Sequence, residues 1–402
     1  MIGAGPVGLH CASLLAGQGF DVSVFEEHSA IGRPIQCAGL ISKSGIEGLG
    51  VELGDSVVNE VSGAKIFSPG GQSITVQKKG TVAYVVDRFL FDQLFYKKAK
   101  KLGCDIRLEN KLLDVRSGAA GKNMPGGNSL LQGKSLGKNA PGGNSLFMQA
   151  NGRGEFLKSQ ITVGADGVNS IVRHSVFPGL LEKNFVHAFQ VRASENFDRS
   201  LVELHFGGFA PGFFAWIVPE SKEIARIGVA AGCVSSGSNA GEGLKAFLEK
   251  RLPEAHILSK SSALIPIAPP AKELVSGNVL LVGDAAAQTK ATTGGGIVFG
   301  LKAAGVCAET IANNLKHRKP LSDYGKNLQP INKELALHWK IYSYIQGLRF
   351  EQFDSLIAKA KNAGIEEFLG EYGDMDKPSL FMRKMLLKPK MWGLLPAVLK
   401  TI

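Results

Sequence analysis

The chain has 402 residues, 44% of them hydrophobic, and Lys+Arg 46 against Asp+Glu 35 leaves a net charge of +11. This length allows two or three domains with large cores. The charge excludes an acidic solvating chain and admits an anionic partner such as a membrane surface, a phosphorylated substrate or nucleic acid. Fifty glycines exceed the ~7% of average usage without the Gly-X-Y period of collagen, so they belong to turns and close backbone approaches.

Residues 3–8 read G-A-G-P-V-G, followed by the apolar-periodic stretch Leu9 to Leu15, the turn Gly17-Gln18-Gly19 and the alternating strand Asp21 to Glu26. This is the opening of a βαβ unit. Gly3 makes the tight turn, Gly5 lets the backbone approach a pyrophosphate, Gly8 permits close helix–strand packing, and the helix N-terminus faces the phosphates. Glu26 stands at the end of the second strand, where a carboxylate can bind ribose hydroxyls. A plain glycine turn between ordinary elements would leave the placement of Glu26 to coincidence. The strand before the glycines has only Met1 and Ile2, where a central strand needs about five residues. The expectation is a native chain beginning several residues earlier, or a truncated gene model.

Residues 82–104 predict a strand ending at Val86, Asp87 as N-cap, a helix with Phe91, Leu94, Phe95, Ala99 and Leu102 at helical spacing, and Gly103 as its stop. Arg88 in the first turn opposes the helix dipole; it is either solvated or held by another anion. The segment 121–130, G-K-N-M-P-G-G-N-S-L, recurs with one substitution at 137–146. Two copies cannot make a solenoid, and Pro-Gly-Gly-Asn is turn chemistry, so 118–154 is expected to be a surface insert.

Residues 161–173 predict a strand ending in Gly164-Ala165-Asp166-Gly167, then a helix carrying Arg173. Residues 176–270 predict a β-rich layer, with strands at Val202 to Phe206, Trp216 to Val218 and Ile224 to Ala230. Phe206, Phe209, Phe213, Phe214 and Trp216 are either an ordinary aromatic core or an apolar wall for a long hydrocarbon. From Asn278 another apolar strand meets Gly283-Asp284, and Gly294-Gly295-Gly296 opens a helix expected to reach about Asn314.

From Lys377 to Ile402 the chain carries six cations (Lys377, Arg383, Lys384, Lys388, Lys390, Lys400) and no acid, interleaved with Leu, Met, Phe and Trp and cut by Pro389 and Pro396. Two readings are compatible here: a helical layer packed on the body, and a segment at the interface of an anionic membrane. No secretory signal is expected. No uncharged apolar run is long enough to span a bilayer. Five scattered cysteines without a CxxC pair argue against disulfides or a zinc site and fit a reducing cytoplasm. No metal site is expected. Net charge alone, with no supporting motif, does not make a nucleic-acid binder.

The glycine motif with Glu26, the G-A-D-G segment and the G-D segment resemble the FAD-dependent family with the para-hydroxybenzoate-hydroxylase fold. Within it the chain is most similar to the geranylgeranyl reductases, including digeranylgeranylglycerophospholipid reductases. The marks are G-R-P-I-Q-C-A-G-L-I-S (Gly32 to Ser42), D-R-x-x-F-D (Asp87 to Asp92), G-D-A-A followed by T-G-G-G-I (Thr293 to Ile297), and F-A-W-I-V-P (Phe214 to Pro219). The chain departs from common relatives at Ala291, where proline is frequent, and at Val218, where phenylalanine is. Both departures bear on the substrate more than on the cofactor.

The resemblance implies an α/β chain: a Rossmann-like FAD-binding domain of the para-hydroxybenzoate-hydroxylase/glutathione-reductase type (1–175 and 271–330), a β-rich substrate domain (176–270) and a C-terminal helical segment (331–402). It implies FAD held by Gly3, Gly5, Gly8, Glu26, Arg33, Arg88, Asp166, Gly283, Asp284, Gly295, Gly296 and Ile297. Asp284 would accept a ribityl hydroxyl, and the helix start at Gly296 would face negative charge on the flavin ring. Phe214 and Trp216 would line a pocket for a polyprenyl chain.

Cys37 falls in a loop that the family places beside the isoalloxazine, where it either relays a proton or packs as a small hydrophobe. The implied reaction saturates carbon–carbon double bonds of geranylgeranyl diphosphate or of glycerol ether lipids. No second GxGxxG follows residue 100, so electrons would come from transiently bound NADPH or a small carrier such as ferredoxin. The protein would be cytoplasmic, peripheral on the inner face of the membrane. Two alternatives remain. One is a monooxygenase or halogenase, whose Trp-x-Trp-x-Ile-Pro segment Phe214 to Pro219 resembles with Phe214 in place of the first tryptophan. The other is a membrane-associated electron-transfer flavoprotein.

Overall fold

Strands that are apolar on both faces must lie between helices, whereas alternating strands cover one side of a core. Both kinds occur in the computed structural model, which describes residues 1–116, 143–150, 152–181, 184–232 and 239–394. The first sheet runs in the order Asp105–Arg107, Ser23–Phe25, Ile2, Thr162–Gly164, Val279–Leu281, all parallel, with Val275–Ser276 antiparallel at the edge. Ile2 holds the centre. Its N–H donates to Val163 O at 2.9 Å and its carbonyl accepts from Ala165 at 2.8 Å, while Met1 O accepts from Phe25 at 2.9 Å.

Helix Pro6–Ala16 starts with Pro6 behind Gly5, where a missing N–H loses nothing. Leu9, Cys11 and Ala12 are fully buried against helices Ile297–His317 and Arg88–Lys101. The latter begins as its sequence predicts: the Asp87 carboxylate accepts from Leu90 N–H at 3.1 Å. Phe91, Phe95 and Ala99 form its buried stripe, and three lysines occupy its last turn, where the dipole favours them.

The second layer is a seven-stranded sheet in the order His256–Pro266, Phe185–Ser194, Ile224–Gly232, Ala215–Pro219, Leu201–His205, Gly63–Phe67, Ser73–Gln77. It is wider than the expected 176–270 layer, because Leu201–His205 pairs in parallel with Gly63–Phe67. The short, mixed sequences of the two added strands carry no periodicity that would join them to a partner so far along the chain. Ala215–Pro219, near the centre, is buried at every position.

The expected insert is also narrower than 118–154. Residues 117–142 lie outside the described residues, but Asn144–Ala150 pairs with Asn110–Arg116 on one side and Arg153–Ser159 on the other. Asn144, in the second copy of the repeat, donates to Thr162 Oγ1 and to Asn278 O, both at 3.0 Å. A residue of the repeat thus ties this sheet to the parallel one.

The C-terminal helices Gln329–Gln346, Phe350–Asn362, Ile365–Tyr372 and Pro378–Met385 close over the edge hairpin. Glu366 accepts from Thr75 N–H at 2.6 Å and Asp354 from Gly70 N–H at 2.8 Å. Ile74, Phe353, Ile357, Phe368, Met385 and Met391 form one buried cluster. The tail therefore packs through its methionine face, while Leu386, Leu387 and Trp392 stay exposed. Among the described residues, no helix is long and apolar enough to cross a membrane.

Candidate active site

A cavity of about 950 Å³ lies between the two layers. One wall is made of glycine turns: Gly5-Pro6, Ala165 and Gly167, Gly283-Asp284, and Gly294 to Ile297. Another part of the lining is apolar, with Val202, Leu204, Phe213, Phe214, Trp216 and Val218 from the seven-stranded sheet and its loops. Cys37 and Arg88 also line the cavity.

The predicted residues divide between wall and support. Gly5, Arg88, Gly283, Asp284, Gly295, Gly296, Ile297, Cys37, Phe214 and Trp216 are on the wall; Gly3, Gly8, Glu26, Arg33 and Asp166 are not. Gly3 and Gly8 pack behind the turn, against Ala165 and each other. Glu26 is bonded to the turn itself, accepting from Ala4 N–H at 2.8 Å and meeting His28 Nδ1 at 2.6 Å. Ser170 caps helix Ile171–Val176, accepting from Arg173 N–H at 2.9 Å, and Asp166 supports that cap: one oxygen accepts from Ser170 Oγ at 2.6 Å, the other from Val172 N–H at 3.1 Å. Burial raises the Asp166 carboxyl above the ordinary range even though these bonds pull it down. Arg33 is exposed, with its guanidinium 5.0 Å from the centre of the Phe89 ring.

Arg88 finds its anion four residues on. Nη2 reaches both oxygens of Asp92, at 3.0 and 3.1 Å. Burial alone would lower the guanidinium, but the Cys37 sulfur beside it and the Asp92 carboxylate together hold it above its usual value. Asp284 is pushed up by burial, against the pull of Arg88 and Arg173. Its Oδ1 comes within 2.7 Å of where a Cβ on Gly296 would stand, so only glycine leaves the carboxylate its place. Arg173, 2% exposed, braces two of the glycine turns by donating to Val168 O at 2.6 Å and to Ala285 O at 3.3 Å.

On the apolar wall, Phe213 and Phe214 stack at 4.2 Å and Phe214 meets Trp216 edge-on at 6.3 Å. Trp216 donates Nε1–H to Gln190 at 3.1 Å, which satisfies its one buried polar group. Its ring packs against Gly228, where a Cβ would come within 2.2 Å. Phe206 lies behind this wall, between Phe214 at 5.6 Å and Phe353 at 4.9 Å, whereas Phe209 turns away to Phe247. Sequence reasoning missed Gln190 and Lys290, both on the cavity wall. Lys290 is 4% exposed and donates to Asp376 at 2.6 Å; nothing local in T-K-A-T-T announces that partner.

The wall fits an extended dinucleotide. A Cβ built on Gly5 or Gly167 meets nothing within 4 Å, so the backbone there is bare to the cavity, as a pyrophosphate requires. Asp284 supplies an acceptor for hydroxyls, and the helix start at Gly296 supplies N–H groups for an electron-rich ring.

Residues 1–62 match the family model for an NAD(P)-binding Rossmann-like domain, and residues 243–386 match that for lycopene cyclase protein. The digeranylgeranylglycerophospholipid reductase of Methanothrix thermoacetophila is 26% identical, over 98% of this chain and 97% of its own length. Digeranylgeranylglycerophospholipid reductase 1 of Methanococcoides burtonii is 28% identical over 91% and 88%. Among solved structures, a geranylgeranyl bacteriochlorophyll reductase-like protein from Thermoplasma acidophilum superposes with a TM-score of 0.81 at 19% identity, covering 98% of both chains. A flavin-dependent brominase superposes at 0.68 with 14% identity, over 96% of this chain and 97% of its own. The architecture, the flavin-compatible wall and these comparisons agree: the chain has the fold of flavin-dependent enzymes and is similar over nearly its whole length to digeranylgeranylglycerophospholipid reductases.

Proposed function

We propose that this protein uses FAD to saturate carbon–carbon double bonds in geranylgeranyl chains carried by a diphosphate or by a glycerol ether lipid. The observation that carries this reading is that one chamber is lined both by the bare glycine turns and by Phe213, Phe214 and Trp216, with Cys37 on the same lining. A polyprenyl chain offers little but apolar area for recognition, and an aromatic wall binds it by that area. Gly5, Gly283, Asp284, Gly295, Gly296 and Ile297 would hold the cofactor at the wall, Arg88 beside them, with Gly3, Gly8, Glu26, Arg33 and Asp166 as the supporting set. Reduced flavin held there would supply the hydride chemistry. The chain holds the alkene against it, excludes water, and delivers a proton to the other alkene carbon from Cys37 Sγ. NADPH or a small electron carrier restores the electrons.

The test is anaerobic incubation of dithionite-reduced holoprotein with geranylgeranyl diphosphate and with geranylgeranyl ether lipid, read by mass spectrometry for added hydrogen pairs. Cys37→Ala is expected to slow the gain by about 100-fold, the usual range for a lost proton donor. No gain on either substrate sinks the reading. Oxygen-dependent hydroxylation would mark a monooxygenase instead, and quinone-coupled flavin turnover with unchanged prenyl lipid an electron-transfer protein.

The tail suggests where the lipid is met. We infer that the protein sits peripherally on the inner face of the membrane. Helix Pro378–Met385 presents Phe381 to the cavity, while Leu387 and Trp392 just beyond it are 79% and 55% exposed. Arg383, Lys384, Lys388 and Lys390 surround them without an acid, and each surface cation contributes ~1 kcal/mol on anionic lipid. Leu387→Glu/Trp392→Glu is expected to abolish co-sedimentation with phosphatidylglycerol vesicles while FAD content and turnover of detergent-dispersed substrate persist. Undiminished vesicle binding would defeat this placement.

A further inference from the structure

The geometry points to Arg226 as the positioning residue that fixes Cys37 against Arg88. This rests on the reading that Cys37 belongs to the reacting surface. Arg226 lies in strand Ile224–Gly232 of the seven-stranded sheet and is 8% exposed. Its Nη1 donates to Ala38 O at 2.8 Å and to Val86 O at 2.9 Å, and its Nε to Glu220 at 2.6 Å. Ala38 follows Cys37, and Val86 stands two residues before Arg88. One nitrogen thus suspends both flanks of the Cys37–Arg88 contact.

The loop is shaped around this guanidinium. A Cβ on Gly39 would come within 2.2 Å of Arg226 Nη1, so the fork fills the space that any other side chain would need. Gly39 is itself tied on two sides, its carbonyl accepting from Val86 N–H at 2.9 Å and its N–H donating to Cys37 Sγ at 3.3 Å. Across the strand pair Arg226 faces Val218, which lines the cavity two residues beyond Trp216. Arg226 therefore fastens the apolar wall and the thiol loop to each other. Lysine cannot replace it, because a single ammonium lacks the planar fork that meets a carboxylate and two carbonyls at once.

The test compares holoprotein carrying Arg226→Lys or Arg226→Ala with the wild type. It measures iodoacetamide labelling of Cys37 by peptide-resolved mass spectrometry, alongside FAD content, kcat and KM. With FAD content retained, Arg226→Lys is expected to change the Cys37 labelling rate by about tenfold. It should also lower kcat by about tenfold or more with little change in KM, since small misplacements of reacting groups cost up to ~100-fold. Added guanidinium ion should return Arg226→Ala toward the wild-type labelling rate. Labelling within about twofold of wild type in both variants overturns the inference, whatever happens to melting temperature. Labelling decides it independently of turnover: if Cys37→Ala keeps full activity, the catalytic reading of Cys37 falls while the positioning by Arg226 still stands or falls on the labelling.

Discussion

Gly5→Val is expected to give a folded protein that no longer retains FAD, whereas Gly3→Ala and Gly8→Ala are expected not to fold. The three glycines of one motif answer to three different constraints. Gly3 has φ +95°, and its Cβ would stand 2.4 Å from Ala165 O. A Cβ on Gly8 would stand 2.2 Å from Gly3 O. In both cases the obstacle is backbone at the centre of the parallel sheet, which cannot step aside as a flexible side chain would. Overpacking there adds to left-handed strain of ~1–3 kcal/mol at Gly3, and the sum belongs to the rare substitutions above about 4 kcal/mol.

Gly5 differs in kind. Its φ −70° and ψ 171° suit any residue, and no atom lies within 4 Å of its would-be Cβ. The fold should lose about 1 kcal/mol or less, the scale of an altered N-cap. The space a valine would fill is the space through which the pyrophosphate must approach. FAD affinity should fall about 100-fold or more, equivalent to ~2.8 kcal/mol. Calorimetric melting of the apoproteins and flavin absorbance after gel filtration separate the two outcomes. A flavin-loaded Gly5→Val protein, or a Gly8→Ala protein melting with the wild type, would contradict the argument.

What the sequence disclosed follows from how far each constraint reaches along the chain. Glycine turns, the Asp87 cap and the Phe91–Phe95–Ala99 stripe are local, so residue type at fixed spacing reveals them. For Arg88 the sequence leaves open solvation or an anion, and Asp92 lies within one helical turn, where charge pairs meet. Asp166 shows the opposite difficulty. A carboxylate in a glycine turn suggests a ligand contact, yet Ser170 and Val172 also lie within reach, and the observed bonds go to them. The residues missed altogether depend on distant partners. Arg226 reaches Ala38 across 188 positions and Lys290 reaches Asp376 across 86. No period or motif encodes such a pairing; it exists only once the two layers and the C-terminal helices have met.

That last pair supports the second large effect: Lys290→Met is expected to destabilise the protein by about 3–5 kcal/mol, because it leaves a buried carboxylate without its cation. The side chains of Lys290 and Asp376 are 5% and 1% exposed, and Lys290→Met/Asp376→Leu should recover most of the loss by replacing both charges with apolar volume. The pH dependence distinguishes this from simple loss of packing. Burial pushes the Asp376 carboxyl up, but the charge and hydrogen bond of Lys290, helped by Ser42 and Lys302, bring it below its ordinary value. Its contribution is therefore complete at neutral pH and is lost only as pH falls below ~4. His338 accepts from the Thr292 hydroxyl at Nδ1 when its Nε2–H faces Asp376 O, and burial together with Lys290 lowers it to about 4. Between that value and ~6.5 the unfolded chain binds the extra proton, so wild-type stability should fall by up to ~3 kcal/mol as pH drops through this window. Removing Lys290 weakens the His338 trend, which burial still drives, and reverses that of Asp376. His338 loses a repelling charge, and the orphaned Asp376 takes up a proton in the folded state at higher pH than in the unfolded one. Urea unfolding in excess FAD between pH 7 and pH 4.5 should thus show wild type and Lys290→Met converging as the solution is acidified. Parallel curves would mean that the ammonium acts only as filler in the cavity wall.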